Sequence, residues 1–427
     1  MKIISFLGLN AYQVTKYKNP ETSGSGFCET KYYQEALAQF YEPDSIYIFV
    51  TQKVEKYSPS KFQKLEDGSD YFIRLSEEKS NWEQLREIFE SKYPHVNLVP
   101  VKNIPEQNTV EDIWTIFNKV NECLEEGDEV IFDITHSFRS VPIVALLAVS
   151  YFRVVRDIKI KALIYGAFEA KNTETNETPT FDLLPVVRLF DWLTATDQFL
   201  KTGNGGDLAA LLQNAGGYTQ ELGNRILEIS QGLQLLRPMD VMTAADALPD
   251  DIERAKPDLG RVVPPFEMLL NRVVGEYGNF ALSEPENYEA TAKVTLCKQI
   301  DLVDWYAGKG LEVQALSMAR EWLPSLLCHH FKKNPMSFEE RREMEILCAG
   351  GKQNDYESKY ASEFKEISKE LRVPITQLWS KLANLRNDVL HAGFRKNPRS
   401  SNDISNQTQE VVEELKKIAS LWQVSNE

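Results

Sequence analysis

The stretch EVIFDITHSFRSVP, Glu129 to Pro142, decides the fold. EVIFDI is a short β-branched and aromatic run, the pattern of a buried strand. Pro142 suits the first turn of a helix, so the strand passes through a hydroxyl-rich turn into a helix N-terminus. The same alternation repeats on both sides. Ile3–Leu9, Ser45–Thr51, Val96–Val101 and Ile158–Phe168 read as strands. Tyr32–Phe40, Trp82–Tyr93 with Asn81 as its N-cap, and the segment opened by Thr109 and Asp112 as a capping-box variant read as helices. Strands alternating with helices of this length predict an α/β domain, doubly wound around a mostly parallel, Rossmann-like sheet. Phe181–Val187 reads as an antiparallel edge after the polar turn Lys171–Thr180.

Further on the pattern changes. A helix over Val187–Leu200 leads to Gly203-Asn204-Gly205-Gly206, and no strand pattern follows. Helical periodicity covers Asp207–Leu236, Phe266–Val274, Tyr288–Tyr306, Glu312–Phe331, Tyr356–Leu371, Pro374–Leu390 and Gln407–Leu421. The Pro-rich stretch Leu248–Pro265 reads as an irregular connector or an insertion. The expected organisation is an α/β domain over 1–190, an all-α connector over 191–290 and an all-α C-terminal domain over 291–427.

Composition narrows the function classes. Of 427 residues 42% are hydrophobic, enough for ordinary cores and too many for a disordered chain. The longest apolar run, Val141–Phe152, is too short to span a bilayer, and MKIISFLGLN reads as a buried strand rather than a leader. Five scattered cysteines without CxxC spacing fit a reducing cytoplasm, the expected location. The net charge of −15 would repel a polyanion, so such a ligand must be met by local basic or dipolar features.

Two constellations offer such features. The first is the turn Thr135-His136-Ser137-Phe138-Arg139-Ser140, at the carboxyl end of a strand and the start of a helix, where open α/β sheets bind ligands. Its hydroxyls can donate to phosphate, and Arg139 can pair with it bidentately. Gly8-Leu9-Asn10, Thr51 and Tyr165-Gly166 are expected at the same sheet edge. The alternative is a capped turn with Ser140 as N-cap, beside ordinary loops. Neither GxGxxG nor a P-loop occurs, which argues against dinucleotide and ATPase sites.

The second constellation is Arg386-Asn387-Asp388-Val389-Leu390-His391, closing a helix. RNA cleavage through the 2′-hydroxyl needs a group that moves protons near neutral pH and a cation for the charge on phosphorus. His391 and Arg386 are of those types, and no metal is required. The alternative is a surface histidine favoured by the helix C-terminus. Arg395, Lys396 and Arg399 follow in a basic loop suited to an RNA backbone. Cys328-His329-His330 with Cys348 lacks zinc-ligand spacing, so no metal is expected. Trp305, Trp322, Trp379 and Trp422 are expected in the core.

In this order the two constellations resemble the CARF–HEPN ribonucleases of type III CRISPR systems. MKIISFLG, EEGDEVIFDITHSFRSVP, YGAFEA and LFDWLTATDQFLKTG are similar to that family's sensor domain and exit helix. GLEVQALSMAREWL and RNDVLHAG are similar to its HEPN half; Ser137 departs from the glycine frequent in the family, and Leu248–Pro265 has no counterpart. The resemblance implies a sensor for cyclic oligoadenylate, cyclic tetra-adenylate being the first candidate, with no other cofactor. The activator would be gripped at the sheet edge of a dimer by Gly8, Leu9, Asn10, Thr51, the Thr135–Ser140 turn, Tyr165 and Gly166. It also implies metal-independent endoribonuclease activity on single-stranded RNA, in antiviral defence, by a homodimer or an oligomer of dimers. Arg386 and His391 would be catalytic, with Asn387 or Asp388 organising them. Products would carry 2′,3′-cyclic phosphate and 5′-hydroxyl ends. A non-catalytic sensor that binds RNA or a partner, and an enzyme that degrades its own activator, remain alternatives.

Overall fold

A computed structural model describes residues 1–21, 26–64, 70–74, 79–106, 109–136, 141–394 and 396–424. The chain divides into two compact units, Met1–Phe190 and Asp191–Glu427.

The first unit is built on a six-stranded sheet. In chain order its elements are β1 (Lys2–Leu7), β2 (Thr15–Lys18), β3 (Phe27–Thr30), α1 (Tyr33–Tyr41), β4 (Ser45–Thr51), α2 (Gln52–Lys56), β5 (Ser60–Lys64) and β6 (Asp70–Arg74). Then come α3 (Asn81–Lys92), β7 (Asn97–Ile104), α4 (Val110–Cys123), β8 (Glu129–Asp133), α5 (Val141–Arg156) and β9 (Lys159–Gly166). The short strands β10 (Glu177–Thr178) and β11 (Thr180–Asp182) close it, before α6 (Leu184–Thr202). The strand order is β11-β9-β8-β1-β4-β7, parallel except for β11, which runs antiparallel to β9. β1 shows why both faces are covered. Ile3 and Leu7 pack with α1 and α3 residues such as Leu37 and Phe89, whereas Ile4 and Phe6 pack with α4 and α5 residues such as Val120 and Phe152. Two apolar faces on one strand need two helical layers.

Three local expectations change. Ser80, not Asn81, caps α3: its hydroxyl accepts the Glu83 N–H, and the Glu83 carboxylate returns to the Ser80 N–H. The β2–β3 and β5–β6 hairpins were not expected, because strands of four or five residues carry little pattern. The polar turn over Lys171–Thr180 contains β10, which pairs with β2.

The second unit is helical. Its elements are α7 (Gly206–Ala215), α8 (Tyr218–Gln234), α9 (Pro238–Val262), α10 (Glu267–Tyr277), α11 (Tyr288–Gly308), α12 (Glu312–His330), α13 (Phe338–Cys348), the two-residue strands β12 (Lys352–Gln353) and β13 (Tyr356–Glu357), α14 (Ala361–Glu366), α15 (Lys369–Leu390) and α16 (Ser401–Leu421). The irregular connector expected at Leu248–Pro265 is, for most of its length, the second half of α9. Leu248, Ile252, Ala255 and Leu259 recur at helical spacing and are buried, and Pro249 and Pro257 sit on the exposed face. Packing of the apolar stripe outweighs two lost backbone hydrogen bonds. The helix expected over Asp207–Leu236 breaks at Gly216 and Gly217, both at positive φ. That expected over Tyr356–Leu371 breaks at Ile367, and α15 begins ahead of Pro374. The Trp322 indole is fully buried and donates to the Leu296 carbonyl. Among the described residues, no helix is long and apolar enough to cross a membrane.

Candidate functional site

The carboxyl edge of the sheet holds the first site. From β1 the sheet grows through β4 and β7 on one side and through β8 and β9 on the other, so the strand order reverses between β1 and β8. A buried polar network bridges that reversal. The Ser5 hydroxyl of β1 donates to Asp133 Oδ2 of β8 at 2.5 Å, and Gln34 Nε2 donates to Ser5 Oγ and to the Phe6 carbonyl. Asp133 Oδ1 accepts the Thr135 N–H at 2.9 Å, and Thr135 Oγ1 accepts the Gly166 N–H at 2.8 Å. A chain of three hydrogen bonds therefore links the ends of β1, β8 and β9. A Cβ on Gly166 would lie 3.2 Å from each of Thr135, Tyr17 and Tyr33, which explains glycine there. Burial pushes the Asp133 carboxyl up to about 6 against the lowering effect of Ser5 and Thr135.

Above this network lies an aromatic pair. The Tyr12 ring stacks on His136 with centroids 4.0 Å apart, and its hydroxyl accepts the Gly8 N–H at 2.7 Å. Burial pushes the His136 imidazole down to about 3, so it is neutral at physiological pH, and its buried Nε2 has no hydrogen-bond partner among the described residues. Asn81 holds the neighbouring loop: its Nδ2 donates to the carbonyls of Gly8 and Asn10, and its Oδ1 accepts from Tyr32.

Of the ligand residues expected here, Gly8, Leu9, Asn10, Thr51, Thr135, His136 and Gly166 lie at this carboxyl edge, with Leu7 and Val50 paired just before Gly8 and Thr51. Thr51 ends β4, on the far side of β1, and its hydroxyl caps α2 by accepting the Val54 N–H. Tyr165 bonds the Glu169 carboxylate through its hydroxyl, and burial pushes that phenol up to about 12. Ser137, Phe138, Arg139 and Ser140 lie outside the described residues. Ser5, Tyr12 and Gln34 escaped the sequence reading as site residues and Asn81 was read only as an N-cap, because their partners lie on distant segments that only the fold brings together.

The second site is the end of α15. Leu378, Leu382 and Leu385 bury one face of the helix. Asp388 is 2% exposed, and its Oδ2 accepts both the Arg399 backbone N–H at 3.1 Å and the Arg399 guanidinium at 3.2 Å. The helix stops in a left-handed turn: Ala392 and Gly393 have φ of 52° and 73°, and Gly393 N–H donates to the Asp388 carbonyl. Arg386 is half-buried, while Asn387 and His391 are exposed. Among the described residues no hydrogen bond or ion pair engages the side chains of Arg386 or His391. Arg399, expected on RNA, ties the following loop to Asp388. Lys396 is exposed, and Arg395 lies outside the described residues.

The pair Cys328 and Cys348 is buried, with both thiols pushed up by burial, and His330 packs edge-on against Trp422. No group of three His, Cys, Asp or Glu side chains that could hold a metal ion occurs among the described residues.

Comparison with known proteins covers the N-terminal part of the chain. Residues 2–169 match the family described as CRISPR system endoribonuclease Csx1, CARF domain, and contain the whole sheet-edge site. Residues 188–284 match the second domain of CRISPR-associated protein MJ1674. The CRISPR-associated protein MJ1674 of Methanocaldococcus jannaschii is 29% identical over 124 residues, which span 28% of this chain and 19% of that protein. Both family matches lie N-terminal to Arg386 and His391.

Proposed function

For this CARF-containing CRISPR accessory protein, we propose a cyclic-oligoadenylate-activated, metal-independent RNA endonuclease. The observation that carries the reading is the placement of Gly8, Thr135, His136 and Gly166 around the strand-order reversal of a CARF domain. That is where an open α/β sheet receives a ligand, and α5 begins beyond the same turn, offering its positive N-terminal end to phosphates.

The catalytic end belongs to α15. His391 takes the 2′-hydroxyl proton as the 2′-oxygen attacks phosphorus, and a protonated imidazole returns a proton to the departing 5′-oxygen. Arg386 offsets the charge that builds on the phosphoryl oxygens. Products carry 2′,3′-cyclic phosphate and 5′-hydroxyl ends. Five residues separate the two, about 500° of helical rotation, so they stand about 140° apart around one axis. Two copies of α15 meeting about a two-fold axis bring an arginine of one chain to a histidine of the other, which makes the homodimer the active form. Sensor and nuclease lie in different units, so the activator acts by shifting a conformational equilibrium rather than by supplying a catalytic group.

The test is cleavage of single-stranded RNA in EDTA, with and without cyclic tri-, tetra- and hexa-adenylate. Stimulated cleavage that disappears in His391→Ala supports the reading. Cleavage that survives His391→Ala, or that no cyclic oligoadenylate stimulates, overturns it.

A further inference from the structure

Phe394 is the most exposed large apolar side chain among the described residues, at 91%. A single exposed ring is ordinary by itself, and its place beside the α15 helix end is what distinguishes this one. Its position is set rather than loose. The Phe394 N–H donates to the His391 carbonyl at 2.9 Å, directly after the left-handed pair Ala392 and Gly393. Farther along, Arg399 closes the loop back onto the buried Asp388 through its backbone N–H and its guanidinium. The backbone bond therefore places Phe394 three residues from His391, at the same helix end.

The surroundings indicate what covers it. Lys396 is exposed beside it, and no ion pair engages Lys396 or Arg386 among the described residues. Cations without ion-pair partners on the same helix end and loop as an exposed aromatic ring are the groups that take single-stranded nucleic acid, with phosphates on the cations and a base on the ring. We propose that Phe394 is the stacking platform for one unpaired RNA base next to the scissile phosphate, and so fixes the substrate as single-stranded and the cut by position rather than by base identity. Every base presents a π face, so stacking on one ring discriminates weakly among sequences. A paired base has both faces covered and cannot reach it. This assignment rests on the nuclease reading of Arg386 and His391.

The experiment uses the full-length chain and a fully 2′-O-methylated, uridine-rich RNA that cannot be cleaved, carrying one 2-aminopurine at successive positions. Binding should quench 2-aminopurine at one or two adjacent positions. Phe394→Ala should abolish the quenching and weaken binding about tenfold, the worth of one base on an aromatic ring. Phe394→Trp should keep both. On cleavable RNA, Phe394→Ala should raise KM by a similar factor and leave the mass in sedimentation unchanged. Full quenching and parental affinity in Phe394→Ala would overturn the proposal, and so would a halved mass, which would show that a second copy of the chain covers the ring. The two readings fail separately. RNA that is bound and quenched but never cleaved removes the nuclease and keeps the platform. Parental KM in an active Phe394→Ala removes the platform and keeps the nuclease. No binding by the parent removes both.

Discussion

The sheet edge and the end of α15 keep their polar groups in opposite conditions. At the sheet edge Ser5, Gln34, Asp133 and Thr135 are hydrogen-bonded to one another or to the backbone, mostly out of water. At the helix end Arg386 and His391 face solvent or its border, and one buried carboxylate, Asp388, holds the frame around them. The first region fixes its polar groups in one shape, as the proposed sensor requires before ligand arrives. The second leaves Arg386 and His391 uncommitted, as the proposed nuclease site, completed by a second chain and by substrate, requires.

The comparison is broken most directly at the exposed pair. Arg386→Ala and His391→Ala should each lower RNA cleavage by about 10²–10⁴-fold. Neither should move stability by more than about 0.5 kcal/mol, as expected of surface substitutions. A thermal denaturation curve that shifts as far as activity falls would show the pair to be structural. The anchor should behave in the reverse way. Asp388→Ala leaves Arg399 unpaired and a buried position empty, and should cost about 3–4 kcal/mol in denaturant unfolding.

The sheet edge sharpens the contrast through pH. The carboxyl of Asp133 titrates near 6 in the folded chain, above its ordinary 3.8. The folded state therefore holds that proton over a range in which the unfolded chain has lost it. Its contribution to stability falls as pH rises from about 4 to about 6 and is constant above. Asp133→Asn removes this loss, so the variant should gain on the parent across that window by up to about 3 kcal/mol. His136 acts with the opposite sign. Its folded value near 3 lies below the ordinary 6.5, so stability drops as pH falls below about 6.5. A parent-minus-variant difference that is flat with pH would show Asp133 to be solvated. The smallest effect should come from Thr135→Val, which keeps the shape but leaves the Gly166 N–H without its acceptor. About 1 kcal/mol of stability should be lost, together with part of the affinity for cyclic tetra-adenylate in calorimetry.

How much of this was legible in the chain differs between the regions. EVIFDI and SIYIFVT announced buried parallel strands because both faces of each are apolar, and the Thr109–Asp112 capping box announced α4 because caps are local chemistry. RNDVLHAG stood out for the same reason: the arginine, the histidine and the terminating glycine lie within one short run. Leu248–Pro265 misled because proline is a strong local signal, whereas the burial that overrode it comes from other helices. The tie of Arg399 to Asp388 was not legible, because the two are eleven residues apart, one on α15 and the other in the loop after it.

Local periodicity, caps and turn residues are encoded within a few residues, so the sequence by itself determined the α/β unit, the helical unit that follows and the short runs worth examining. Pairing between distant segments is a tertiary matter. Only the three-dimensional structure decided that Ser5 would meet Asp133 across β1 and β8, that Tyr12 would occupy the Gly8 amide and stack on His136, and that Arg399 would turn inward. Each of these joins groups whose separation along the chain carries no pattern, and each exists because burial leaves a polar group no partner but the one the fold brings to it.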